Sequence, residues 1–178
     1  TLYDLRARFV MIAYHLYFEA TFVSERVMGL QHDQMFTDFL DDISRCFIEH
    51  DFAMWDRRII YPMSLITAQG PVILSSEPEA RENFGLYLQA CTIMRLDDIY
   101  RTPISLEDCK DGSFIGTYET NLLSRGARAT APYTSSALLR IHDNRFCMKS
   151  IMNARGHHDW TGKQPYNVFP TPPSDTDH

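Results

Sequence analysis

Between Cys46 and Ser75 the chain carries a helix end, a turn and a strand hairpin in one unbroken piece, and the rest of the sequence reads as packing around it. His50-Asp51 interrupts a helical apolar pattern. Asp51 is a good N-cap, because a short side-chain oxygen there accepts from the free N–H groups of a first turn. That predicts a short helix from Phe52 to Asp56 with Trp55 against the core. Arg58 to Leu65 is rich in β-branched and aromatic residues and reads as a strand. Thr67-Ala68-Gln69-Gly70-Pro71 is turn chemistry, and Val72 to Ser75 returns as the second strand of a hairpin.

Upstream, Leu2, Leu5, Phe9, Ile12, Leu16 and Val23 share one helical face, and a second apolar set at Val10, Ala13, Tyr14 and Tyr17 widens it. This predicts an N-terminal helical arm over residues 1–30. The apolar pattern lapses from Gln31 to Gln34 and restarts with Met35, Phe36, Phe39, Leu40, Ile43 and Phe47 as a second helix. Downstream, Ser76-Glu77-Pro78-Glu79 opens a long helix to about Arg95, with a serine cap and acids in its first turn, burying Ala80, Phe84, Leu88 and Cys91. Extended stretches follow at Ile99 to Leu106, Phe114 to Ser124, Tyr133 to Ile141 and Phe146 to about Ala154. The Asp143-Asn144 turn makes the last two antiparallel neighbours. From residue 161 to residue 178, Pro165, Pro170, Pro172 and Pro173 predict an irregular tail.

Composition then removes several classes of function. A chain of 178 residues with 44% apolar content suits one globular domain. The net charge of −6 and only three lysines, Lys110, Lys149 and Lys163, argue against nucleic acid as a partner, since phosphate neutralisation needs clustered cations. Cys46, Cys91, Cys109 and Cys147 lack C-x-x-C spacing and read as thiols in a reducing cytoplasm. The most apolar run, Phe9 to Phe18, contains His15 and falls short of the roughly 20 residues a membrane helix needs, so no membrane association is expected. Glu19 and Glu25 follow it closely without a small-residue cleavage pattern, so no secretory signal is expected.

The order helix, helix, hairpin, long helix and then long antiparallel strands describes an α+β domain. Phe52 to Pro62, Ser75 to Phe84 and the strand texts GTYETNLLSRG and SSALLRIHDNRFCMKSIMNARG resemble the nuclear-transport-factor-2-like (NTF2-like) superfamily. That superfamily includes SnoaL-like cyclases, ketosteroid isomerases and the small subunits of ring-hydroxylating dioxygenases. The resemblance covers residues 34–160 and implies a cystatin-like, NTF2-like cone over residues 31–160, in which a curved antiparallel sheet wraps a long helix and leaves a pocket. It also implies a small, largely apolar ligand and a homodimer through the outer sheet face. In the isomerases a carboxylate base precedes a proline on the first strand. Here Tyr61 precedes Pro62, and the position of the second carboxylate falls at Ala137, so that mechanism is not expected.

The residues that remain as candidates for chemistry are Tyr61, Glu119, Asn153 and His50. Asn153 is read as facing the cavity, where its amide would orient a carbonyl or hydroxyl. Glu119 lies inside a strand and is either solvated, with Thr117, Asn121 and Leu123 on its face, or a pocket carboxylate made basic by desolvation. His50 sits beside the Asp51 cap, at the pocket base or simply at a helix end. Trp55, Tyr61, Met63, Phe84, Tyr87, Tyr118 and Asn153 form the expected ligand lining, though most of them also suit a plain core. His157-His158-Asp159 has ligand types that suit iron, but adjacent histidines in a strand point to opposite sides, so no metal and no cofactor is expected. Two functions stay open: a small-molecule binder or cofactor-free proton-transfer enzyme (cyclase, isomerase or dehydratase), and a non-catalytic partner subunit like the dioxygenase small subunit.

Overall fold

In a computed structural model of the chain the described residues are 27–67 and 70–152. The chain divides into two compact units, Thr1–Met35 and Phe36–His178. Of the first, residues 27–35 are described. They are helical, with Val27, Met28 and Leu30 exposed. The rest of the expected arm, the proline-rich tail, Asn153 and His157-His158-Asp159 lie outside the described residues.

Helix α1 covers residues 27–48 without interruption. The lapse in apolar pattern at Gln31 to Gln34 is therefore not a helix break. It marks a turn whose residues are exposed or half-buried, and no proline there would stop the backbone. From Phe36 onward the same helix turns Phe36, Phe39, Leu40, Ile43, Cys46 and Phe47 inward. His50 ends this segment with a left-handed φ of 57°. Asp51 caps α2 (Phe52–Asp56), accepting a hydrogen bond from the Met54 N–H at 2.9 Å.

The expected hairpin forms from β1 (Ile59–Thr67) and β2 (Gly70–Leu74), but more tightly than expected, since Thr67, Gly70 and Pro71 pair within the strands instead of forming the turn; the long helix α3 is Glu77–Met94. Ser76 occupies the N-cap position of α3 but its hydroxyl makes no capping bond. Glu79 instead reaches back, its carboxylate accepting from the Ser75 N–H at 2.8 Å. Arg95 closes the helix in the left-handed region. The buried face of α3 is Ala80, Asn83, Phe84, Tyr87, Ala90 and Cys91, whereas Leu88 is half-buried.

The remaining strands are β3 (Asp98–Asp108), β4 (Ser113–Ser124), the two-residue β5 (Ala127–Arg128), β6 (Tyr133–His142) and β7 (Arg145–Met152). They join one sheet in the order β2-β1-β7-β6-β4-β3, with β5 paired to β4. Asp143 and Asn144 both take positive φ, as a tight hairpin turn between right-twisted strands requires, and β6 and β7 pair antiparallel. The sheet is mixed: β1 runs parallel to β7, and all other neighbours are antiparallel. Register shifts at Ile59/Ser64, Pro103/Ser105 and Leu138/Leu139 insert bulges, which bend a sheet and sharpen its twist.

One sheet face carries Phe114, Tyr118, Leu122, Ala137, Leu139 and Met148, and the helices cover it. Phe47 links them, with ring centroids 5.0 Å from Phe84, 5.5 Å from Tyr87 and 6.2 Å from Trp55. Farther along, Phe36 lies edge-on to Tyr118 at 6.4 Å. Gly116 makes that approach feasible, because a Cβ built on it would stand 2.7 Å from Phe36 Cζ and 3.0 Å from Leu139 Cδ1.

Candidate functional site

The packing of helices on the inner sheet face leaves a cavity of about 40 Å³. Ile43 and Phe47 of α1 and Trp55 of α2 form one side, and Met63 and Leu65 of β1 with Leu74 of β2 form another. Met148 and Ile151 of β7 close the wall. Into this apolar lining come four polar side chains: Asn83 and Tyr87 from α3, Arg101 from β3 and Tyr133 from β6.

Two of these four carry a buried polar atom without a hydrogen-bond partner among the described residues. Asn83 is 7% exposed, and its Oδ1 accepts from no group among the described residues. Arg101 donates through Nη1 to the Ile43 carbonyl at 2.8 Å and to Ser44 Oγ at 2.9 Å and also meets the Tyr118 phenol, but its buried Nε–H has no acceptor among the described residues. No carboxylate among the described residues pairs with it. A third such atom, Asn121 Oδ1, belongs to the opposite sheet face. The phenol of Tyr87 is pushed well above its ordinary range by burial, with a smaller contribution from Tyr133 and Tyr118 and with Arg101 opposing. Burial likewise raises the thiols of Cys46, to about 12, and Cys91, to about 11, again against the pull of the Arg101 charge.

The residues expected from sequence separate into four groups. Trp55, Met63 and Tyr87 stand together in the cavity lining. Phe84 and Tyr118 are core side chains beside it, Phe84 stacked on Phe47 and Tyr118 against Phe36. Tyr61 is half-buried where β1 leaves α2, donating to Asp56 Oδ1, and burial followed by that hydrogen bond raises its phenol. Glu119 and His50 lie away from the cavity. Glu119 shares the outer sheet face with Thr117 and accepts from Asn121 Nδ2 at 3.0 Å, while His50 is exposed at the α1–α2 corner.

Asn83 and Arg101 were not among the expected residues, yet both left a trace in the sequence. Arg101 lies two residues from the buried Ile99 and so in phase with the inward face of its strand. Asn83 falls three residues after Ala80 and four before Tyr87, in the middle of an otherwise apolar helical stripe. A polar residue in phase with a buried face is the signal that marks both.

A second concavity, on the surface, is lined by Arg57, Ile59, Ile60, His142, Asp143, Arg145 and Cys147. Its charges are spoken for at close range: Arg145 meets Asp143 at 3.6 Å and Arg57 meets Asp42 at 3.8 Å. Among the described residues no group of three or more His, Cys, Asp and Glu is placed to hold a metal ion, and no helix is long and apolar enough to cross a membrane.

The sequence matches no family model, and no curated protein matches it. Similarity is found among solved structures. A domain of unknown function with a cystatin-like fold from Nostoc punctiforme superposes with a TM-score of 0.55 at 11% identity, over 69% of this chain and 76% of that one. Aln2 from a Streptomyces species gives 0.54 at 12% identity, over 72% and 90%. A variant of the protein Rd1NTF2_05 gives 0.51 at 14%, over 70% and 97%. Identities this low carry the fold and nothing of the chemistry, and with the mixed sheet, the long helix and the helix-covered inner face they establish that the chain has the NTF2-like, cystatin-like fold.

Proposed function

We propose that the protein binds a small, largely apolar molecule in the cavity between its helices and the inner sheet face. The observation that supports this is the lining itself: Phe47, Trp55, Met63, Leu65 and Met148 surround a space into which only a few polar groups converge, the usual composition of a small-molecule site. A volume of about 40 Å³ has room for two or three waters at about 10–15 Å³ each. Met63 and Met148 are unbranched thioethers whose rotation would admit something larger.

Catalysis by proton transfer would need a base at this space. The described lining residues include no Asp, Glu or His, and the Tyr87 phenol is driven away from the range of a usable base by its burial. The reading is therefore one of binding. A proton-transfer role for Tyr61, Glu119 or His50 would require a site elsewhere on the molecule.

The same reading places the protein in a reducing cytoplasm, in keeping with four free cysteines, and pairs two copies through the outer sheet face, where Tyr100, Ile115 and Met152 expose apolar surface. Light scattering should give a dimer mass that falls to the monomer on Ile115→Lys. A monomer for the unsubstituted protein would contradict the pairing.

Xenon tests the binding reading without presupposing a ligand. It enters apolar cavities of atomic size, so a xenon-pressurised crystal should show an atom between Trp55, Met63 and Met148. Xenon found only at the surface would contradict the reading.

A further inference from the structure

We infer that the molecule held in this cavity carries an oxyanion beside a hydrogen-bond donor, a small apolar hydroxy acid being the simplest case. This rests on the binding reading above and narrows its ligand class.

The first observation is the environment of Arg101. A guanidinium keeps its charge at every pH a protein tolerates, so its positive charge must be balanced by its surroundings. Its hydrogen-bond partners among the described residues are neutral. Nη1 meets a backbone carbonyl and a serine hydroxyl. Cys46, Tyr87, Cys91 and Tyr118 all feel its charge, Tyr118 also through a hydrogen bond to the guanidinium, and burial raises each of them, so that each is protonated at neutral pH. The contrast within the molecule is Arg58, which is buried where Arg101 is half-buried, and whose Nε meets Asp42 at 2.9 Å. The protein gives one inward arginine a carboxylate and leaves the other facing a cavity with Nε–H unmatched. An oxyanion in the cavity supplies both the missing acceptor and the missing charge, and charge-assisted hydrogen bonds of this kind are among the strong ones.

The second observation is Asn83. It is more than nine-tenths buried, it lines the same cavity from α3, and its unmatched atom is an acceptor. A bare carboxylate offers it nothing, because an ionised carboxylate only accepts. A hydroxyl on the ligand would donate to Asn83 Oδ1 while the carboxylate takes the Arg101 Nε–H. The apolar remainder then lies against Trp55, Met63 and Met148. The chain's overall charge of −6 works against anions at long range, so recognition of one has to come from a local cation such as Arg101.

The experiment compares three four-carbon compounds, 2-hydroxyisobutyrate, isobutyrate and isobutanol, titrated into the full chain at neutral pH by calorimetry. The hydroxy acid should bind about tenfold or more tightly than isobutanol, with isobutyrate between them. Arg101→Met should remove the preference for acids over isobutanol, and Asn83→Leu should remove the preference for the hydroxy acid over isobutyrate. The ranking on the unsubstituted protein stands whether or not either variant folds. Isobutanol binding as tightly as the acids would overturn the inference and leave the apolar-cavity reading intact, and so would binding of the hydroxy acid unchanged by a folded Arg101→Met. Failure of all three compounds to bind would overturn both.

Discussion

Arg58 is 6% exposed and its guanidinium is used at three points: Nε on Asp42 at 2.9 Å, Nη1 on the Phe146 carbonyl at 3.1 Å and Nη2 on the Asp38 carbonyl at 3.2 Å. One side chain thus ties α1 to the β7 strand. Arg58→Met would remove all three bonds from a poorly hydrated place, at a cost of about 3 kcal/mol, to be read from urea unfolding. Gly116→Ala tests the packing from the other side. The new methyl group meets the Phe36 ring, and overpacking of this kind costs about 1–3 kcal/mol.

The thiols give a pH prediction at the same scale. Cys46 is raised from 9.0 to about 12, and Cys91 from 9.0 to about 11, chiefly by burial. The native state therefore holds protons that the unfolded chain releases. Stability from these groups is fully present below about pH 9 and falls as pH rises toward their native values. Unfolding midpoints should be level between about pH 7 and pH 8 and lower at about pH 10.5. Iodoacetamide at neutral pH should label Cys109, the least buried thiol, before Cys46, Cys91 and Cys147. Equal labelling of all four in the folded protein would contradict the burial described.

Among the elements, α2 is the one most clearly written in the sequence. Asp51 opens it, three of its five residues are buried, and it delivers Trp55 to the cavity. Asp51→Ala should cost about 1 kcal/mol through loss of the bond to the Met54 N–H, and Asp51→Ser should recover most of it. The hairpin, the opening of α3 and the Asp143-Asn144 turn were equally legible, because each depends on residues within a few positions of one another. The parallel pairing of β1 with β7 was not. Their partners, such as Leu65 and Ile151, are far apart in the chain, and pairing at that distance leaves no local trace. The continuity of α1 through residues 31–34 was hidden for a different reason: apolar periodicity reports which face is buried, and a helical turn that buries nothing is silent.

The candidate site was legible in the same uneven way. Aromatic and thioether residues near the hairpin pointed to Trp55, Met63 and Tyr87, but Phe84 and Tyr118 have the same character and ended as core beside the cavity. Composition does not separate a cavity wall from the core behind it. The polar groups were harder, since Glu119 stood out as a carboxylate in a strand while its phase sends it outward. Arg101 and Asn83 become visible only when the phase of each element is followed residue by residue.

At the scale of the whole molecule, the mixed sheet and its covering helices form an NTF2-like fold in which most inward positions are filled by large side chains. What they leave open is a small space with an arginine and an asparagine at its wall. Fold alone assigns no activity to that space, so the account stands on whether a small molecule enters it. Methyl resonances of the eight methionines locate such entry directly. In a titration of the full chain, labelled at its methionine methyl groups, with 2-hydroxyisobutyrate, the account predicts that the Met63 and Met148 signals shift together and saturate while Met28 and Met152, both exposed, stay in place. Saturating shifts confined to exposed methionines, or no shift at all, would contradict it.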